Sequence, residues 1–196
     1  MREICLSRFA VLRRVAGRLV LLCLAMVAIA PGVQAQSRVA LVIGNSEYQH
    51  TTRLKNPRND AALMAKTLEA LGFEVILKTD IGQRDMQRAV RDYLAKLDAG
   101  GRETIGLVYY AGHGVQLGGE NFLIPVDANI QRESDVAIES LNASQMLSGM
   151  RLAKNKLNIV ILDACRNNPY RGFSRGATRG LARLDAPKGS YVVFAT

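Results

Sequence analysis

Two side chains in this sequence have the chemistry and placement of a nucleophile and its base. Cys165 closes the run Asn158-Ile159-Val160-Ile161-Leu162-Asp163-Ala164-Cys165, and His113 closes Leu107-Val108-Tyr109-Tyr110-Ala111-Gly112-His113. Each follows a short, continuous apolar stretch and precedes polar or glycine-rich sequence, the pattern of a buried parallel strand emerging at its carboxyl end. An imidazole beside a thiol raises the thiolate fraction and can later return the proton to a leaving group. The pair therefore reads as a cysteine-peptidase dyad. The other histidine, His50, lies in a polar loop and reads as a surface residue.

The elements that must position these groups alternate along the chain. Arg38–Ile43 reads as a first strand, ending at Gly44-Asn45. Asn59 or Asp60 can cap a helix carrying Leu63, Met64, Leu68 and Leu71, which Gly72 stops. A strand over Phe73–Leu77 and an amphipathic helix over Arg84–Leu97 follow, the helix with Met86, Val90, Tyr93, Leu94 and Leu97 on one face. Thr104–Tyr110 reads as the third strand, Gln116–Ile124 as a hairpin turning at Gly118-Gly119, and Asn142–Ala153 as a third helix. Leu157–Leu162 is the fourth strand, and Tyr191–Ala195 begins a fifth. This order predicts an α/β fold in three layers, a mostly parallel sheet flanked by helices on both faces. Chemistry in such sheets gathers at the carboxyl ends of the strands, where His113 and Cys165 both fall.

The first 35 residues read as a secretory signal peptide. Arg2, Arg8, Arg13, Arg14 and Arg18 form a basic start, Leu19–Ala30 an apolar stretch, and Val33-Gln34-Ala35 a small-residue cleavage site before Gln36. The apolar stretch is short for a membrane span, and Cys23 follows Leu22 rather than the small residue of a lipoprotein site. Export to a periplasm or the exterior is thus expected, with residues 36–196 as one domain and no stable membrane span after cleavage. The whole chain has 196 residues, 26 basic and 17 acidic, for a net charge of +9. Loss of the leader takes five basic residues and one acidic residue, so much of that basicity is not part of the mature surface. It also removes Cys5 and Cys23, leaving Cys165 with no intramolecular disulfide partner, the usage of a reactive thiol.

Other chemistries fit poorly. No basic patch interleaved with aromatics suggests nucleic acid. One cysteine and two distant histidines lack zinc-ligand spacing. The glycines around His113 lead into a hairpin without the Gly-Lys-Ser/Thr of a phosphate loop.

With these motifs in order, the chain resembles the caspase family in the broad sense, including metacaspases and bacterial caspase-like peptidases. The resemblance rests on Tyr109-Tyr110-Ala111-Gly112-His113-Gly114, on Asp163-Ala164-Cys165-Arg166, and on the separation of about fifty residues between His113 and Cys165. It implies that Cys165 is the nucleophile, that His113 is base and acid, and that the backbone N–H groups of Gly114 and Cys165 hold the oxyanion. The Gln of caspases that cut after aspartate is replaced here by Asp163. A carboxylate at a pocket floor attracts a cationic side chain, so cleavage of protein or peptide substrates after Arg or Lys is expected. A second acidic residue would complete such a pocket, with Glu139, Asp135 and Asp127 as candidates. The resemblance also implies further helices and a sixth strand beyond the fifth, so a truncated gene product or a fragment of a longer chain is expected.

The segment over residues 166–189 carries Arg171, Arg175, Arg179, Arg183 and Lys188 without apolar periodicity. It reads as a mobile surface loop and as a self-cleavage substrate. No cofactor is required by the sequence, and calcium activation and oligomeric state are left open. The competing reading is an inactive caspase-like binding or scaffold module.

Overall fold

A computed structural model describes residues 36–164, 170, 181–182, 184 and 189–195. The leader, Cys165 and most of the arginine-bearing segment therefore lie outside the described residues. Five strands form the main sheet: β1 (Arg38–Gly44), β2 (Glu74–Thr79), β3 (Ile105–Gly112), β7 (Leu157–Ala164) and β8 (Ser190–Phe194), in the order β2-β1-β3-β7-β8. All of these pairings are parallel. Four described helices accompany them: α1 (Pro57–Ala70), α2 (Gln83–Gly100), α3 (Glu133–Glu139) and α4 (Ala143–Leu152). The three-layer α/β architecture is the expected one.

Alternation along the strands divides the core. Val39, Leu41 and Ile43 of β1, with Val108 and Tyr110 of β3, face Met86, Tyr93 and Leu97 of α2 and Met146 and Met150 of α4. Ala40, Val42, Leu107, Tyr109 and Ala111 face Ala61, Ala65 and Leu68 of α1. The second layer is rich in alanine, so α1 lies close to the sheet. At Gly44 a Cβ would stand 2.3 Å from the Pro57 carbonyl oxygen, which only glycine avoids.

Three differences from the sequence reading bear on the site. Helix α1 begins at Pro57, with no side-chain cap from Asn56. Proline suits the first helical position because its missing N–H has no intrahelical partner there. Asp60 consequently lies in the first turn rather than at a cap. Second, β3 and β7 each run two residues beyond the expected ends, to Gly112 and Ala164. Third, the hairpin becomes a three-stranded antiparallel sheet, with β4 (Gly114–Leu117), β5 (Glu120–Leu123) and β6 (Leu141–Asn142) in that order. Helix α3 was not expected from the sequence, since Val136 is its only buried residue and offers no period.

Candidate active site

The two motifs meet at the end of one strand pair. Strands β3 and β7 pair with Gly112 opposite Ala164. One residue beyond each lies His113 and Cys165; Cys165 itself is outside the described residues. These strands are thus neighbours, although the sequence between them spans a small sheet and two helices.

His113 is buried, with its ring held from two sides. The Tyr48 ring lies 4.5 Å away, centroid to centroid. His113 Nε2 is 2.7 Å from the Thr52 carbonyl oxygen. A carbonyl can only accept, so Nε2 carries the hydrogen and the neutral ring keeps its lone pair on Nδ1. Nδ1 is buried and has no hydrogen-bond partner among the described residues. Burial lowers the His113 pKa below its ordinary value, and the bond to Thr52 only partly opposes this. The lowered pKa favours the neutral imidazole, with the lone pair of Nδ1 unpartnered among the described residues.

The backbone of His113 is fixed as firmly as its ring. Its N–H donates to the Tyr48 hydroxyl at 2.7 Å, and its carbonyl accepts from the Tyr110 hydroxyl at 2.7 Å and from the Ile124 N–H at 3.1 Å. Complete burial raises the Tyr110 pKa well above the ordinary phenol value, so this donor persists across the working pH range. Tyr109 and Tyr110 thus pack in the sheet and also orient polar groups at its end.

The loop that supplies Tyr48 and Thr52 is tied down at several points. Asp80 accepts from the N–H groups of Ser46 and Glu47 at 2.7 and 2.9 Å. Asn45, wholly buried, accepts from Ile81 N–H and donates to the Ile124 carbonyl. None of these supports was singled out from sequence. A polar loop before a helix carries no local signal that one of its carbonyls will reach an imidazole 61 residues away.

Gly114 pairs with Leu123 in the β4–β5 ladder. Bonded and non-bonded pairs alternate in an antiparallel ladder, and Ile124 already bonds to His113. Gly114 falls at a non-bonded pair, so its N–H turns away from β5.

A cleft of about 330 Å³ adjoins this strand end, lined by Leu54, Lys55, Asn56, Pro57, Asp60, Ala111, Gly112 and Asp163. Asp163 accepts a hydrogen bond from the Tyr109 hydroxyl at 3.2 Å. Burial raises the Tyr109 pKa, with Asp163 and Asp60 adding to the shift, so both carboxylates act on the same phenol. Asp60, rather than Glu139, Asp135 or Asp127, lines this cleft with Asp163. Asp127 accepts from the Gln83 N–H at the start of α2, and Asp135 accepts from the N–H groups of Gln131 and Arg132. Glu139 ends α3, and none of the three lines the cleft.

The segment after Cys165 also departs from a simple surface loop. Leu181 and Leu184 pack against the main core, and Tyr170 joins the cluster around Tyr48 and Phe122.

The fold and this strand-end arrangement define a caspase-type α/β domain, and comparison with known proteins gives the same answer. The model of the Caspase domain family matches residues 37–190, and the chain belongs to that family. It is 36% identical over 137 residues to human mucosa-associated lymphoid tissue lymphoma translocation protein 1, covering 69% of this chain and 16% of that protein. It is 27% identical over 133 residues to caspase-1 of Felis catus, covering 67% of this chain and 31% of the relative. The chain thus spans a third or less of the length of these relatives. Among solved structures, protein GSU0716 from Geobacter sulfurreducens aligns with a TM-score of 0.52 at 18% identity, over 66% of this chain and 50% of that one. That likeness concerns the fold alone.

Proposed function

We propose that this chain is a cysteine endopeptidase that cleaves after Arg or Lys, with His113 and Cys165 as its dyad. The observation that carries the specificity is the pairing of Asp60 and Asp163 in one cleft beside Gly112. Two carboxylates at a partly desolvated site favour a guanidinium or ammonium and repel an acidic side chain.

In the proposed reaction, Nδ1 of His113 takes the thiol proton of Cys165 as the sulfur attacks the scissile carbonyl carbon. The carbon–sulfur bond forms and the carbonyl oxygen becomes an oxyanion, held by the N–H groups of Gly114 and Cys165. His113 then gives its proton to the leaving amine as the carbon–nitrogen bond breaks. Water, deprotonated by the same nitrogen, hydrolyses the thioester and restores the thiol. The Thr52 carbonyl supports this sequence by holding the Nε2–H tautomer, which keeps Nδ1 basic.

Residues 1–35 are proposed to direct export and to be removed, giving Gln36 as the mature N-terminus. Edman sequencing of the exported protein tests this; retention of Met1 would contradict it. The peptidase reading is tested with fluorogenic peptides bearing Arg, Lys or Asp before the scissile bond. Turnover should be confined to Arg and Lys and lost in Cys165→Ser. Faster cleavage after Asp would overturn the cleft assignment, and no turnover by folded protein would favour a binding module.

A further inference from the structure

Asn121 lies in the middle of β5, wholly buried, and uses its amide in an unusual way. Its Nδ2 donates to the Ala182 carbonyl at 2.7 Å, and its Oδ1 accepts from the Ala182 N–H at 2.6 Å. Both polar groups of one peptide residue are met by one side chain, much as a neighbouring strand would meet them. This reciprocity also fixes the orientation of the amide, because the opposite flip would face donor to donor and acceptor to acceptor.

The clamped residue adjoins a side chain that lies against Gly114. From the position a Cβ would take on Gly114, Leu181 Cδ2 is 3.0 Å away and the Ala164 Cβ 3.1 Å away. Leu181 and Ala164, the residue that precedes Cys165, therefore both line the space that a side chain on Gly114 would take. Leu184, also largely buried, anchors the same stretch in the main core. The apolar contacts are non-directional, whereas the two Asn121 bonds fix the height and register of the backbone that carries Leu181.

We propose that Asn121 is a positioning residue for acyl transfer: by clamping Ala182 it seats Leu181 against Gly114, holding the Gly114 N–H aligned to stabilise an oxyanion. This rests on Cys165 as the nucleophile but not on the preference for Arg or Lys. It separates two reactions of the same sulfur. Acylation by p-nitrophenyl acetate forms a carbon–sulfur bond through a tetrahedral oxyanion and expels p-nitrophenolate, so it needs the aligned N–H. Alkylation by iodoacetamide forms a carbon–sulfur bond by direct displacement of iodide and needs only the thiolate.

The experiment compares both rates at Cys165, the second by peptide mass spectrometry, in wild type, Asn121→Ala and Leu181→Ala. The two variants should acylate at least about tenfold more slowly, with alkylation within about twofold of wild type. Leu181→Ala removes the contact while leaving the clamp intact, and it carries the test if Asn121→Ala does not fold. Unchanged acylation in a folded variant would overturn the proposal, as would acylation and alkylation falling in step. A folded wild type that is alkylated but never acylated would instead overturn the nucleophile assignment, and the inference with it.

Discussion

Neutralising Asp60 should change which peptides are cleaved while leaving the machinery intact. Asp60 occupies the first turn of α1, half-buried, and shares its cleft with Asp163. Asp60→Asn keeps the shape and removes one charge. A pair of opposite charges about 4 Å apart in surroundings of effective dielectric about 20 attracts by about 4 kcal/mol. The partial exposure of Asp60 and the remaining charge of Asp163 reduce this, leaving about 2 kcal/mol of lost transition-state binding for a cationic substrate. That corresponds to about a thirtyfold fall in kcat/KM. The assay compares fluorogenic peptides with Arg and with Gln before the scissile bond. The Arg rate should fall about thirtyfold, and the Gln rate should stay within about threefold of its wild-type value. Loss of the favourable helix-start charge costs only about 0.3–1 kcal/mol of stability, so the variant should remain folded. A parallel fall for both peptides would show general damage to the site. An unchanged Arg rate would refute the two-carboxylate cleft.

Further outcomes follow from individual contacts. Because burial lowers the His113 pKa and the proposed reaction uses its free base, the acidic limb of kcat/KM should have its midpoint below pH 6.5, measured by a pH–rate profile; a midpoint above that value would contradict the neutral, buried imidazole. Asn45→Ala leaves the Ile81 N–H and the Ile124 carbonyl without this partner, so urea unfolding should show a loss of about 2–3 kcal/mol. Gly44→Ala drives a methyl into the Pro57 carbonyl and should cost about 3 kcal/mol or more, seen as a lower denaturation midpoint or insoluble protein. If the arginines after Cys165 are substrates, intact-mass spectrometry should find cleavage after Arg171, Arg175, Arg179 or Arg183 in wild type and none in Cys165→Ala; identical masses would exclude self-cleavage.

The fold was legible where the burial pattern is local. Continuous apolar runs marked β1, β3 and β7, and the period of Met86, Val90, Tyr93 and Leu97 marked α2. Their ends were less legible. Ala111 and Ala164 are small and Asp163 is charged, so neither strand looks apolar to its end, yet pairing with a neighbour extends both. The site divides in the same way. His113 and Asp163 announce themselves through residue type and the motifs around them. Asp60 did not, because the helix boundary was set by a proline whose capping role competes with that of Asn59 and Asp60. Thr52 and Asn121 carried no signal at all, since a carbonyl in a polar loop and an amide in a short hairpin gain their meaning only from partners 61 residues away.

The most direct test of the central claim is the turnover of an Arg-bearing fluorogenic peptide by purified wild type, Cys165→Ser and His113→Ala, each shown to be folded by circular dichroism. Measurable turnover by wild type, with loss of at least about a thousandfold in both variants, is the result expected of a dyad acting as a unit. Equal rates in all three proteins, or no turnover by folded wild type, would contradict it.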